Sequence, residues 1–201
     1  MKKFDKARQI FKENKGIMRT AEVLDAGIAP KTLYAMRDQG SIIQLSRGLY
    51  KLADIPPLGN PDLITIALMV PEAVFCLMTA LDFHNLTEQI PQFTYFAITQ
   101  GARRPKIHYP PVNIIWPSKK IFEAGIQEVI LDNTPVKIYD PEKTITDCFK
   151  YRNKFGLDVA IDAIQRYFAQ PAKKQNLNAL MTYAKLNRVV RIMLPYIQAL
   201  T

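Results

Sequence analysis

One stretch constrains this chain more than any other. Ala53-Asp54-Ile55-Pro56-Pro57-Leu58-Gly59-Asn60-Pro61 holds three prolines and a glycine in nine residues, and such a segment continues neither a strand nor a helix. It reads as a short, stiff connector. A length of 201 residues suits one large or two small domains. The break therefore separates a domain over 1–53, a connector over 54–61 and a second domain over 62–201. Charge divides along the same lines. Residues 1–52 carry 11 basic and 5 acidic side chains, residues 53–170 carry 11 and 13, and residues 171–201 carry 5 and none. The net charge of +9 is thus held at the two ends. A clustered positive charge suits an anionic polymer, because each neutralised phosphate releases condensed counterions.

Within the head, Phe4, Ala7, Ile10 and Phe11 recur at helical spacing and predict a helix over about 3–14, ended by Gly16. A short second helix is expected from Thr20, a natural N-cap, through Ala21, Val23 and Leu24 to Gly27. Pro30 suits the first turn of a third helix, which buries Leu33 and Met36 and is stopped by Gly40. Two helices joined by a tight glycine-containing turn make a helix-turn-helix, whose second helix fits a major groove. The segments 41–45 and 49–52 then read as a hairpin around Ser46-Arg47-Gly48, the wing of a winged helix-turn-helix. Lys31, Thr32, Tyr34 and Arg37 are the expected groove-facing residues, with Arg37 the candidate for guanine. Arg47 at the wing tip suits a phosphate or the minor groove. Thr20 and Lys51 complete the expected DNA-binding set. A protein–protein role for the same module is the bland alternative.

Beyond the connector, helices are expected over 62–69 and 74–83 and strands over 92–99, 112–116, 129–131 and 136–139, the last two turning at Asp132-Asn133-Thr134-Pro135. Helices return over 141–151, 157–168, 176–185 and 188–200. The fold class is α+β: a winged helix-turn-helix, then an α+β domain with a small antiparallel or mixed sheet and C-terminal helices. Basic residues recur at Arg103, Arg104, Lys119 and Lys120 in loops and at Lys173, Lys174, Lys185, Arg188 and Arg191 near the C-terminus. They are solvated surface or a second nucleic-acid or partner contact.

Catalytic patterns are missing. There is no phosphate-binding Gly-Lys-Ser/Thr, no Gly-x-Ser-x-Gly and no His-Glu-x-x-His. Asp140 reads as the cap of a helix starting at Pro141, and Lys143 with Asp147 as an i, i+4 pair of modest value. Cys76 and Cys148 read as buried apolar thiols, too few for a disulfide framework. His84 and His108 have no metal-ligand spacing, and His84 near a helix end favours the helix dipole. No apolar run reaches the ~18 residues that span a bilayer, and the opening Met1-Lys2-Lys3-Phe4-Asp5 lacks the apolar core of a secretory signal. The expectation is a cytoplasmic protein that is not an enzyme and holds no cofactor or metal.

The chain resembles the AbiEi-type antitoxins of type IV, abortive-infection toxin–antitoxin systems. The carrying residues are Thr20 to Ile28, Leu33-Tyr34 and Leu45-Ser46-Arg47-Gly48-Leu49-Tyr50 in the head. In the second domain they are Thr79-Ala80-Leu81, His84-Asn85-Leu86-Thr87 and the run from Val136 to Asp147 containing Asp140-Pro141-Glu142-Lys143-Thr144. Phe75-Cys76-Leu77-Met78 is bulkier than the small-residue helix usual at that point. The resemblance implies a transcriptional repressor of its own operon that binds double-stranded DNA at promoter inverted repeats, as a monomer in solution binding cooperatively on DNA. It also implies a second domain that counters an AbiEii-type nucleotidyltransferase toxin without a stable complex being required. A winged-helix regulator whose second domain senses a ligand is the alternative.

Overall fold

The computed structural model describes residues 2–200; Met1 and Thr201, the outer ends of the two expected domains, lie outside the described residues. The chain forms two compact units. The first takes in residues up to Pro71 together with Lys106–Pro110 and Ile130–Thr134, and the second comprises Glu72–Pro105, Pro111–Val129 and the chain from Pro135 onward.

The first unit opens with α1 (Lys2–Glu13), β1 (Ile17–Arg19), α2 (Thr20–Asp25), α3 (Pro30–Asp38), β2 (Ile42–Ser46), β3 (Leu49–Leu52) and α4 (Pro61–Met69). Ala7 and Phe11 of α1 meet Val23, Leu33 and Met36 in one buried cluster with Met18, Ile28, Ile42, Tyr50 and Leu52. Gly16, Gly27 and Gly40 all take positive φ where helices end, the conformation a side chain resists. The wing is not a bare hairpin. Its strands sit in a three-stranded sheet in the order β1-β3-β2, with Ile17 opposite Lys51 and Arg19 opposite Leu49. The sequence reading lacked β1, so β3 is a central strand rather than an edge.

The proline-rich stretch is fastened to this unit. Ile55 packs against the head's apolar cluster, so that a Cβ on Gly16 would lie 2.6 Å from its Cδ1. Arg8 pairs with Asp54 at 2.7 Å. The sequence reading assigned α4 to the second domain, whereas compactness groups it with the first unit.

The second unit contains β4 (Val74–Phe75), α5 (Leu77–Phe83), β5 (Thr94–Ala97), β6 (Val112–Ile115), α6 (Lys119–Phe122), β7 (Ile126–Leu131), β8 (Thr134–Tyr139), α7 (Pro141–Lys150), α8 (Arg152–Phe155), α9 (Leu157–Ala169), α10 (Leu177–Asn187) and α11 (Val190–Leu200), with the β7–β8 turn grouped in the first unit. The sheet is mixed, in the order β6-β5-β4-β8-β7. β4 runs antiparallel to β5 and parallel to β8, and β5 runs parallel to β6. Asp132 and Asn133 both have positive φ between β7 and β8, as a two-residue hairpin turn of the primed type requires. The expected helix over 74–83 divides instead into β4 and α5. Every residue from Ala73 to Leu81 is buried, so no polar side sets a helical phase there. Helix α7 lies at the centre of the unit, and its residues 142–149 are all buried.

Candidate nucleic-acid interface

Helix α3 is built to present one face. Ala29 in extended conformation is its N-cap, Pro30 takes the first turn, and Leu33 and Met36 are buried. At 100° per residue, Lys31, Tyr34 and Asp38 then fall opposite the buried stripe, with Arg37 on its flank. Lys31, Tyr34 and Arg37 are exposed; Thr32 is half-buried. Thr32 lines a cleft of about 290 Å³ together with Lys3, Lys6, Ala7, Ile10, Gly27, Ile28 and Ala29. Two lysines of α1 thus join the start of α3, a pairing that the sequence reading missed. Its signal was their i, i+3 spacing on the polar side of α1, with no sequence cue to which helix that side faces.

Arg37 is already engaged. Its Nε and Nη2 donate to Asp38 Oδ1 at 2.9 and 2.8 Å, and its guanidinium carbon lies 5.2 Å from the Tyr34 ring centroid. Arg47 stands exposed in the β2–β3 turn, where Gly48 has φ +79°. Thr20 differs from expectation. It is the first residue of α2, the N-cap is Arg19, and the Arg19 N–H donates to Glu22 Oε2 at 2.7 Å. The Thr20 hydroxyl approaches the Gly48 carbonyl at 3.4 Å, beside the wing turn.

Lys51 is a correction. Its residue is only 6% exposed, and its ammonium donates to the Ile55 and Pro56 carbonyls at 2.7 and 3.1 Å. In a central strand covered on both sides, the side chain holds the connector and is not free for DNA.

The nine basic residues that the sequence offers as a second contact are all at the surface, on varied supports. Arg103 and Arg104 follow β5, and Lys119 and Lys120 lie on α6 rather than in a loop. Lys119 is 3.8 Å from Glu123. Lys173 and Lys174 occupy a single helical turn, Lys185 lies on α10, Arg188 ends α10 with φ +59°, and Arg191 lies on α11. Lys120 and Lys185 flank a cleft of about 480 Å³ lined by Ala124, Thr182, Tyr183 and Leu186.

The charged residues of Asp140-Pro141-Glu142-Lys143 are consumed internally. Asp140 caps α7 by accepting from the Lys143 N–H at 2.7 Å and also accepts from the Tyr183 hydroxyl at 3.0 Å. Burial nevertheless raises its carboxyl above the usual range. Glu142 accepts from the Tyr167 hydroxyl at 2.6 Å and the Asn176 N–H at 3.0 Å. Lys143 Nζ donates to both Asp147 oxygens, at 2.6 and 2.5 Å, with the two side chains 0% and 2% exposed. Asn187 donates to Asp147 at 2.7 Å, and the Tyr139 ring lies 4.3 Å from the ammonium. The i, i+4 pair of modest value expected from spacing is a fully desolvated one. A Cβ on Gly125 would strike Lys143 Cβ at 2.6 Å, so glycine admits this close approach.

His84 is also corrected. It ends α5, but burial lowers its pKa, so the ring is not the cation a helix dipole favours; its Nε2–H donates to the Tyr139 carbonyl at 2.7 Å. Cys76 and Cys148 are buried thiols, both pushed up by desolvation. Among the described residues no three His, Cys, Asp or Glu side chains come together to hold a metal, and no helix is long and apolar enough to cross a membrane.

Three helices, a three-stranded sheet and an exposed polar helix face define the head as a winged helix-turn-helix, a class of DNA-binding domain. Residues 5–53 match the family described as transcriptional regulator, AbiEi antitoxin. The head of this chain is thus similar to that family over the segment that holds the turn and wing residues of the resemblance, while the run from Val136 to Asp147, its most specific part in the sequence, lies outside the matched residues. No curated protein matches the chain.

Proposed function

We propose that this chain is a DNA-binding repressor of its own operon and the antitoxin of a type IV system, countering an AbiEii-type nucleotidyltransferase toxin. The observation that carries the reading is the polar face of α3 beside the wing, inside the segment that matches AbiEi regulators. Lys31, Tyr34 and Arg37 face the major groove, Arg47 reaches a phosphate or the minor groove, and Lys3, Lys6 and Thr32 bracket a phosphate beside the start of α3. Affinity then comes from the phosphates, and sequence choice from the few side chains on α3. The protein acts as a cytoplasmic monomer that binds inverted repeats cooperatively.

No catalytic step is assigned to the second unit. The ionisable side chains around α7 are buried and hydrogen-bonded within the unit, which suits a structural role. The second unit instead offers its surface cations for countering the toxin. Two experiments test the two halves. A reporter driven by the chain's own promoter is repressed by the wild type and released by Arg47→Glu. Co-expression with the neighbouring nucleotidyltransferase gene restores growth. Repression without rescue refutes the antitoxin half, and rescue without repression refutes the repressor half.

One observation favours a ligand-sensing regulator as a second reading. Clefts of about 330 and 300 Å³ meet at Tyr95, Lys154 and Phe155, where the Tyr95 and Phe155 rings pack edge to face. Operator release by a small aromatic acid would distinguish it.

A further inference from the structure

Helix α3 ends on an acidic residue that nothing in its own stability calls for. Asp38 is the last helical residue, where the negative end of the helix dipole opposes a carboxylate. It lies on the outward face beside Lys31 and Tyr34, where a carboxylate also opposes phosphates. Its ion-pair partner among the described residues is Arg37, with the two side chains 39% and 63% exposed.

The geometry of that pair matters. Asp38 Oδ1 takes the side edge of the guanidinium, Nε–H and one N–H of Nη2. Arginine has five N–H donors in a planar fork. Three therefore remain, both on Nη1 and the outer one on Nη2, and of these the outer Nη2–H and one Nη1–H lie along the end edge of the group. Two parallel donors on that edge match guanine O6 and N7. The Tyr34 ring supports one face of the same group. Arg37 is thus held on one edge and one face, with the guanine-matching edge open.

Resting on the reading of α3 as the groove helix, we propose that Asp38 is the positioning residue that aims Arg37 at guanine and so sets the base preference of this protein. Pre-organisation lowers the ordering cost that a free arginine would meet on binding. The remaining oxygen, Asp38 Oδ2, accepts from the amino group of a cytosine within reach. The carboxylate also lowers affinity for random duplex by adding a negative charge among the phosphates.

The test measures full-length wild type, Asp38→Ala, Asp38→Asn and Arg37→Ala on the chain's own upstream duplex and on duplexes with each G·C pair changed singly to A·T. The wild type loses about 5- to 150-fold at one G·C pair, the span of a good bidentate contact. Asp38→Ala loses most of that discrimination, as Arg37→Ala does, yet binds random duplex more tightly. Asp38→Asn, which keeps an oxygen acceptor, retains discrimination closer to wild type. Full discrimination in Asp38→Ala overturns the assignment while leaving the α3 interface standing. Duplex binding absent from the wild type overturns the interface itself and this assignment with it.

Discussion

Replacing Asp147 by alanine removes the carboxylate that pairs with the Lys143 ammonium. The structure sets the magnitude. Lys143 is 0% exposed, the Tyr139 ring lies 4.3 Å from its ammonium, and Asn187 loses an acceptor at the same time. Breaking a buried pair on one side costs about 3–5 kcal/mol, because the surviving charge stays desolvated. The ring contact is present with and without Asp147, so it offsets none of this cost. A loss of about 3–5 kcal/mol is expected for the second unit, read as a lower urea midpoint for its transition in the full chain. Replacing both partners, Lys143→Met with Asp147→Leu, removes the two charges together and costs far less, since buried pairs trade nearly evenly with apolar residues. The Asn187 amide is the residual cost of that double variant. A single variant within about 0.5 kcal/mol of wild type, or a double variant worse than the single, would refute the reasoning.

The remaining predictions concern the head and one histidine. Arg37→Ala costs about 1–3 kcal/mol on the specific site and little on random duplex; equal losses on both, by anisotropy titration, contradict base reading. Arg47→Ala reduces the log–log salt slope of binding by about one unit. Lys51→Met leaves that slope unchanged but destabilises the head by about 1–3 kcal/mol, since the Ile55 and Pro56 carbonyls lose their donor. A slope that moves with Lys51 would return it to the interface. His84 carries a folded pKa lowered from 6.5 by burial, so the unfolded chain binds more protons below that value. Its contribution is therefore full above pH 6.5 and is lost as pH falls towards the folded pKa. The stability difference between wild type and His84→Gln should shrink over that window in urea titrations at successive pH values; a pH-independent difference would show that His84 does not titrate as its burial implies.

The sequence carried the parts of the fold that have a regular period or an obligatory residue. Pro30, Leu33, Met36 and Gly40 marked α3 and its buried side, and Asp132-Asn133-Thr134-Pro135 marked a turn that the structure narrows to Asp132 and Asn133, both at positive φ, with Thr134 and Pro135 in β8. What it hid depends on tertiary pairing. β1 is three residues long and exists through its pairing with β3, so no local pattern announces it. Lys51 was misplaced for a related reason, since its ammonium is taken up by the Ile55 and Pro56 carbonyls of a connector whose return to the sheet no local pattern announces. Around Phe75-Cys76-Leu77, uniform burial erased the difference between a strand and a helix. The spacing of Lys143 and Asp147 predicted their contact but not their burial, which comes from α10 and the close approach at Gly125. For Arg37 the residue type was legible and its restraint by Asp38 was not, since adjacent helical positions diverge by 100° and only long side chains bring their ends together.

The central claim is that the wing and α3 grip duplex phosphates. Titrating the full-length protein against its own upstream duplex over a series of salt concentrations tests it most directly. The account predicts a linear fall of log affinity with log salt, made shallower when Lys31 and Arg47 are neutralised together. Binding that ignores salt, or a slope that keeps its value in that double variant, would contradict it.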